Sequence, residues 1–204
     1  MTSSSKHSNT IEPALKRRGN DKWEQVGAAS WYVPEPPGRK TASGEAYDYT
    51  ALTAAHRTLP MHSLVLVTNM KTKRKAIVRI NDRGPFVGAR IIDLSVQAAK
   101  TVDVYRPGLA TVKLEVLHAP ADIDRGGRWC VQIGAFRQRN SALDLKQRVL
   151  NRYRKTRVTR VLDFHSPTGN WLRVRVRNDD RRLAQEVAAK IKVKEGGVFL
   201  VRLD

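Results

Sequence analysis

The sequence contains a single cysteine, Cys130, among 204 residues. An internal disulfide and a cysteine-based metal site are therefore both excluded. No apolar run approaches the roughly 18 residues of a membrane-spanning helix. Residues 1–25 are polar and lack the apolar stretch of a secretory signal peptide, so we expect a disordered tail there. A single cysteine is compatible with both reducing and oxidising surroundings, so the cysteine count does not distinguish between cellular compartments.

Acidic residues are scarce, with 19 Asp and Glu against 38 Lys and Arg, which gives a net charge of +19. The excess lies mainly in residues 120–204, where 20 basic residues face 9 acidic ones. That imbalance predicts a polyanionic partner for the last third of the chain, such as nucleic acid, anionic lipid or an acidic polysaccharide. A protein kept soluble by its charge is the alternative.

Common catalytic signatures are also missing. The sequence has no Gly-x-Ser-x-Gly elbow and no glycine-rich phosphate loop. His56 and His62 lack the spacing of metal ligands on a helix. We therefore expect neither a metal nor an organic cofactor.

Two patterns follow the tail. Residues 26–117 hold short apolar runs broken by Pro and Gly, which is typical of a closed β-barrel. Residues 118–127 have the Pro, Asp and Gly content of a linker. Residues 128–204 predict the order β-α-β-β-α-β, with helices beginning near Asn140 and at Asp179 or Asp180.

Carboxylates and one histidine recur at the predicted strand ends of the barrel, as expected of a polar groove. Cleavage of a glycosidic bond needs a carboxyl held protonated near neutral pH. Asp82 suits this role, because it follows an apolar run and precedes a turn. Glu45, Asp48 and His56 could form a hydrogen-bonded cluster beside it. Alternatively, Asp82 only ties its own Asn-Asp-Arg-Gly-Pro turn.

Asp93, in the run RIIDLS, is a further candidate for the substrate groove. The alternative is that its carboxylate caps the helix predicted directly after it.

The strand near residues 170–177 alternates between apolar and polar side chains. Trp171, Arg173, Arg175 and Arg177 should share the sheet face opposite the helices. On the first strand of this domain, Gln132, Gly134 and Phe136 should join that open face. Flat aromatics bind sugar faces or bases, and arginine binds carboxylate or phosphate. The open face is therefore a candidate binding surface, and a solvated face with incidental arginines is the alternative.

The motifs ASWY, GRKTASGEAYD, LTAAH, NDRGP and RIIDLS follow one another within the barrel segment. Their order resembles the rare lipoprotein A (RlpA) family of septal-ring lytic transglycosylases over about residues 26–117. The resemblance implies a six-stranded double-psi β-barrel. It also implies cleavage between N-acetylmuramic acid (MurNAc) and N-acetylglucosamine (GlcNAc), in which the muramic acid C6 hydroxyl attacks and leaves a 1,6-anhydro end.

Carried over motif by motif, Glu45, Asp48 and His56 match the activity-linked residues of the family. Asp82 matches the proposed acid and base of related barrels. One carboxyl can do both proton transfers, since no water has to be activated on the opposite face of the sugar. Arg83 could position an anionic sugar substituent, and a salt bridge that stabilises the turn is the alternative.

The run VQIGAF followed by a helix, and GNWLRVRV followed by a second helix, resemble the SPOR domain over about residues 128–203. That resemblance implies binding to peptidoglycan strands stripped of their stem peptides, at the division septum of the cell envelope, among divisome proteins. RNA-binding sheets share the same element order. Their RNP1 pattern is absent from NWLRVRV, so nucleic acid is not the expected partner.

The sequence departs from the RlpA pattern at residues 33–37, which read VPEPP where the family has Gly and a Phe-His pair. No lipid-acceptor cysteine stands near the N-terminus. The leading hypothesis is an endolytic peptidoglycan lytic transglycosylase. The alternative is a non-catalytic septal peptidoglycan-binding protein.

Overall fold

The computed structural model describes residues 23–34, 38–153, 158–166, 169–193 and 196–204. Its first part is a closed six-stranded barrel in the order β1-β5-β2-β4-β3-β6. The strands are β1 Glu24–Trp31, β2 Thr53–His56, β3 Leu64–Asn69, β4 Lys75–Asp82, β5 Arg90–Leu94 and β6 Ala110–His118. Residues 1–22 of the predicted tail lie outside the described residues.

Two pairs of neighbouring strands in this barrel, β1–β5 and β2–β4, are parallel, and the other four pairs are antiparallel. This arrangement is the double-psi β-barrel, so the fold expected for this segment is confirmed. The first strand begins two residues before the boundary expected at Val26. The reason is that Glu24 and Gln25 pair with Glu115 and Leu114 of β6.

Alternate side chains of β3, β4 and β6 fill much of the barrel core. On β4, Ala76, Val78 and Ile80 point inward and are buried. The alternation stops after Ile80, where the register against β2 shifts between Ala54 and Ala55. Asn81 is then buried and Asp82 half-buried, so this irregularity brings a carboxylate to the end of the strand.

A short helix, α1 Val96–Thr101, follows β5. The Ser95 hydroxyl accepts a hydrogen bond from the Ala98 main-chain N–H and caps this helix. Asp93 therefore does not act as its cap.

The second part is a four-stranded sheet in the order β10-β7-β9-β8 with helices on one face. Its elements are β7 Trp129–Phe136, α2 Arg139–Tyr153, β8 Val158–Ser166, β9 Gly169–Val176, a 3-10 turn Arg177–Asp179, α3 Arg181–Lys190 and β10 Gly197–Arg202. The predicted element order is confirmed. Asp180 caps α3 by accepting from the Leu183 N–H, whereas α2 begins at Arg139, so Asn140 lies inside it.

Residues between β6 and β7 are held against both parts of the chain. Ile123 packs on the barrel core. On the other side, Arg202 Nη1 donates to the Asp122 carbonyl at 2.7 Å, and Arg181 Nη1 donates to the Asp124 carbonyl at 3.0 Å. In the part of the chain that the structure describes, no helix has the length and apolar character needed to span a membrane.

Candidate active site and glycan-binding face

Asp82 is the half-buried last residue of β4, and its two carboxylate oxygens have different surroundings. Oδ1 accepts main-chain N–H bonds from Ala42 at 2.9 Å and from Arg83 at 2.8 Å. Oδ2 accepts a hydrogen bond from the Tyr32 hydroxyl at 3.0 Å. Oδ1 is thus fixed by the backbone, which leaves Oδ2 as the oxygen able to exchange a proton.

Tyr32 follows β1 directly and is itself held in place. The Tyr47 hydroxyl donates to the Tyr32 carbonyl at 2.6 Å, and the two rings contact each other with centroids 5.1 Å apart. Burial, followed by the charge of Asp82, raises the pKa of the Tyr32 phenol far above its usual range. The phenol therefore stays neutral and remains a hydrogen-bond donor to Asp82.

Glu45 lies on the same wall as Asp82. The loop that carries it lies over the end of β4, because the Ser43 N–H donates to the Asn81 carbonyl at 3.0 Å. Arg79 forms a two-pronged ion pair with the Glu45 carboxylate at 2.6 and 2.8 Å. This hydrogen bonding is the main reason that the pKa of Glu45 falls to about 2. Glu45 is therefore ionised at neutral pH and cannot serve as a proton donor.

Asp48 ties its own turn, and no hydrogen bond or ion pair among the described residues joins it to this wall. Its Oδ1 accepts from the Thr50 N–H at 2.7 Å and from the Thr50 hydroxyl at 2.6 Å. These bonds lower the pKa of the Asp48 carboxyl, which is exposed.

His56 is fully buried, so the expected hydrogen-bonded cluster with Glu45 and Asp48 is not present. Nδ1 accepts the main-chain N–H groups of Thr58 at 3.2 Å and Leu59 at 3.0 Å. Nε2 then carries the proton and donates to Gln25 Oε1 at 3.2 Å. Burial lowers the pKa of His56 well below its usual value, with smaller contributions from neighbouring arginines. The neutral ring holds the chain after β2 rather than facing a groove.

Asp93 lies near Asp82, since Ala55 of β2 pairs with Asp82 on one side and with Asp93 on the other. Its carboxylate accepts from the Ser30 hydroxyl at 2.8 Å and from Arg90 Nη2 at 3.2 Å. Burial raises the pKa of Asp93, although Arg90 and Ser30 oppose that shift. Asp93 supports the floor beside Asp82 from a largely buried position.

Arg83 does not point to the solvent as a substrate-binding cation would. Its guanidinium donates to three main-chain oxygens, those of His56 at 3.1 Å, Arg202 at 2.6 Å and Asp204 at 2.6 Å. Burial lowers the pKa of Arg83 to about 10. The expected role in positioning an anionic sugar is therefore replaced by a contact between the barrel and the last strand.

Trp171 lies on the expected face of the second sheet but is only 4% exposed. Gly134 allows this placement, since a Cβ there would come within 2.1 Å of the indole. Phe164 stacks beside the indole with centroids 6.5 Å apart. On the outer side, the barrel residue Phe86 contacts Trp171 and Phe199, each at 5.7 Å between ring centroids. The barrel thus covers the centre of the predicted binding face.

Arg173 and Gln132 are joined on this face, because Arg173 Nη2 donates to Gln132 Oε1 at 3.0 Å. The Arg173 guanidinium also lies over the Phe164 ring, 5.4 Å from its centroid. Its Nε is buried and has no hydrogen-bond acceptor among the described residues. Arg175, by contrast, is paired with Asp179. No ion pair among the described residues holds Arg173, so it is the better candidate of these two arginines for an anionic ligand.

Phe136 lies in the core between the sheet and its helices, so the open face predicted for it is wrong. The register of β7 against β9 shifts between Ile133 and Phe136. Such an irregularity reverses the alternation of side chains that follow it.

Sequence reasoning missed Tyr32, Arg79 and Phe86. Tyr32 ends the ASWY motif, which was already recognised, and Arg79 lies three residues before Asp82. Nothing in the local sequence around Phe86 indicated a contact with the second domain. The altered loop at residues 33–37 is described only at 33 and 34.

Residues 24–114 match the lytic transglycolase family, and residues 126–202 match the SPOR domain. The chain thus joins a double-psi β-barrel of the lytic transglycolase type to a SPOR domain. It is 44% identical over 135 residues to the endolytic peptidoglycan transglycosylase RlpA of Campylobacter jejuni, an alignment that covers 54% of the chain and 49% of that protein. It is 52% identical over 102 residues to RlpA of Pasteurella multocida, covering 50% of the chain and 33% of that protein. Together with the two domain matches, these similarities support a relationship between the chain and the RlpA family.

The chain spans about half or less of the length of these two curated relatives. Among solved structures, the expansin of Clavibacter michiganensis is 16% identical, with a TM-score of 0.40, over 56% of the chain and 59% of that protein.

Proposed function

We propose that the chain is an endolytic lytic transglycosylase that cleaves the MurNAc–GlcNAc bond of peptidoglycan and leaves 1,6-anhydroMurNAc ends. The observation that carries this proposal is the asymmetric setting of Asp82. Two backbone N–H bonds hold Oδ1, while Oδ2 meets only a hydroxyl among the described hydrogen bonds. Such a carboxyl is oriented and yet retains one oxygen for proton exchange.

In the proposed reaction, the protonated Oδ2 of Asp82 gives its proton to the glycosidic oxygen as the bond from the muramic acid C1 to that oxygen breaks. The carboxylate that results takes the proton of the C6 hydroxyl as O6 bonds to C1. Asp82 is thereby returned to its protonated state, and no water enters. Proton transfer of this kind typically contributes about 10²- to 10⁴-fold to the rate.

The other residues of the site support Asp82 in different ways. Tyr32 orients Oδ2, and the ionised Glu45 provides negative charge that stabilises the positive charge developing on the sugar. The buried His56 stabilises the segment after β2 by accepting the Thr58 and Leu59 N–H groups. Neither a metal nor an organic cofactor is needed for this chemistry.

The second domain is proposed to bind peptide-free glycan, since loss of the stem peptide frees the lactyl carboxylate of each muramic acid. Arg173 suits that carboxylate, and the aromatic rings of Trp171 and Phe164 suit sugar faces. We accordingly place the protein in the cell envelope at the division septum, with divisome proteins as further partners.

A non-catalytic glycan-binding protein is the second candidate. Glu45 is held in an ion pair, Asp48 ties its own turn and His56 is buried, so three of the four residues assigned to activity are engaged in structural contacts. The barrel would then hold glycan without cutting it.

Mass spectrometry of purified peptide-free glycan strands, incubated with wild type and with Asp82→Asn, separates the two candidates. The amide of the variant retains an oxygen for the Ala42 and Arg83 N–H groups, so its fold should be preserved. Anhydromuramic ends from wild type alone would support the enzyme. Uncut strands that still sediment with both proteins would support the binding protein.

A further inference from the structure

We infer that the barrel masks the glycan-binding face of its own SPOR domain, and that a peptide-free, anionic glycan strand must displace the barrel to bind there. This inference rests on the proposed function of the SPOR sheet. It concerns the surface formed by Phe86 on the barrel and by Trp171 and Phe199 on the sheet, here named the aromatic contact.

The aromatic contact closes the space that a sugar ring would need. Trp171 is covered by Phe86 on its outer side and flanked by Phe164, and its exposed fraction is 4%. Gln132 beside it is only 3% exposed. A sugar cannot stack on the indole while the Phe86 ring lies there, so the closed arrangement and bound glycan exclude each other.

Polar bonds at the edge of the sheet hold the barrel in this position. The Arg202 N–H donates to the Arg57 carbonyl at 3.0 Å, and the Met61 N–H donates to the Asp204 carbonyl at 3.3 Å. Arg57 also lies over the Phe199 ring at 5.6 Å. The contact therefore has a specific geometry rather than being a loose collision of two apolar patches.

The loop that carries Phe86 directly follows Asp82 of the candidate active site. Phe86 lies four residues after Asp82, and Arg83 between them is bonded to Arg202 and Asp204. Displacement of the barrel would release Arg83 beside Asp82. Glycan binding to the sheet and the conformation of the active-site loop are thus energetically linked, and the linkage acts in both directions.

The loss of apparent affinity for glycan depends on the fraction of molecules in which the aromatic contact is formed, here called the closed form. If nine molecules in ten are closed, the apparent affinity for glycan is about tenfold weaker than that of the open form. A variant that weakens the aromatic contact should regain this lost affinity without making any new contact to the glycan.

The test uses the full chain with Phe86→Ser, and Val87→Ser as the matched control, because Val87 is the next residue in the same loop and is 54% exposed. Binding to purified peptide-free glycan strands is measured for wild type and both variants. We expect Phe86→Ser to bind about tenfold more tightly and Val87→Ser to match wild type. Equal or weaker binding by Phe86→Ser would overturn the inference.

A second variant pair locks the contact instead of opening it. A main-chain hydrogen bond of 3.3 Å joins Met61 to Asp204, so cysteines at these two positions are neighbours across the contact. Oxidised Met61→Cys/Asp204→Cys should bind glycan weakly and recover on reduction. Binding that is unchanged by oxidation, with the disulfide confirmed by mass, would overturn the inference even if Phe86→Ser folds poorly.

Cleavage products are measured in parallel to keep the two proposals distinguishable. Wild-type cleavage with no gain in binding for Phe86→Ser would refute masking and leave the transglycosylase intact. A chain that neither binds nor cleaves glycan would refute both.

Discussion

The Tyr32 hydroxyl donates a 3.0 Å hydrogen bond to Oδ2 of Asp82, the carboxylate oxygen that the backbone leaves available. Tyr32→Phe removes this donor while keeping the ring and its packing against Tyr47. Hydrogen bonds to charged groups contribute about 1.5–3 kcal/mol. We therefore expect kcat for glycan cleavage to fall by about ten- to a hundredfold, with KM little changed, in steady-state assays on peptide-free strands.

Tyr49→Phe is the matched control for this variant, since Tyr49 is 63% exposed. Its activity should equal that of wild type. If Tyr32→Phe instead raised KM and kept kcat, the phenol would be a substrate contact and not a group that orients Asp82.

The ion pair between Glu45 and Arg79 predicts a pH-dependent contribution to stability. The pKa of Glu45 is lowered from 4.5 to about 2 in the folded chain. Its ionised form is thus favoured by folding, and the contribution is present above pH 4.5 and lost as the pH falls toward 2. Urea unfolding should show wild type more stable than Glu45→Gln at pH 6, with the difference shrinking between pH 4.5 and pH 2.

Comparison of the two proteins at each pH cancels the titration of the remaining carboxylates. A difference that stays constant from pH 6 to pH 2 would show that the Glu45 charge does not contribute to stability.

His56 is predicted to support the fold. His56→Ala leaves the N–H groups of Thr58 and Leu59 without their acceptor, at about 1–3 kcal/mol for each buried group. His56→Asn restores an acceptor near the position of Nδ1 and should recover part of the loss. Urea unfolding at pH 7.5 measures the stability of both variants. If His56→Ala kept full stability and lost cleavage, His56 would act in the reaction and not in the fold.

The same histidine adds a pH effect of its own. Its pKa in the folded chain lies well below the ordinary 6.5, because burial disfavours the charged ring. The unfolded chain therefore takes up a proton first, and stability should fall as the pH drops below about 6.5. The free energy of unfolding of wild type and His56→Asn is measured at pH 7.5 and pH 5.5. The part of the loss at pH 5.5 that His56 causes should be missing from the variant.

Arg173 is predicted to bind the lactyl carboxylates of peptide-free glycan. Arg173→Ala should weaken binding by about tenfold, the effect of losing one charge-assisted hydrogen bond, and should reduce its salt dependence. Arg177→Ala, in the exposed turn after β9, is the control with the same loss of charge. Equal losses for both variants, measured by co-sedimentation at two salt concentrations, would indicate that only the net charge matters.

Local signals in the sequence were enough to predict the order and type of the elements, because alternation, turn residues and helix caps depend on neighbouring residues. The first strand of the second domain and a helix beginning at Asp179 or Asp180 were predicted from such signals, and the structure has a strand at Trp129–Phe136 and a helix capped by Asp180. The resemblance to the RlpA family was also visible from motif order, since GRKTASGEAYD and NDRGP are short runs that can be read without knowledge of the fold.

Which of these residues lie in the groove depends on contacts made in the folded chain. His56 is buried because Gln25 and Trp23, distant in sequence, pack against it. Phe136 faces the core because a register shift in β7 reverses the alternation. Trp171 is covered because the barrel supplies Phe86. Burial and orientation at these positions depend on contacts between remote segments and on one irregular backbone pairing, neither of which a local pattern of residues encodes.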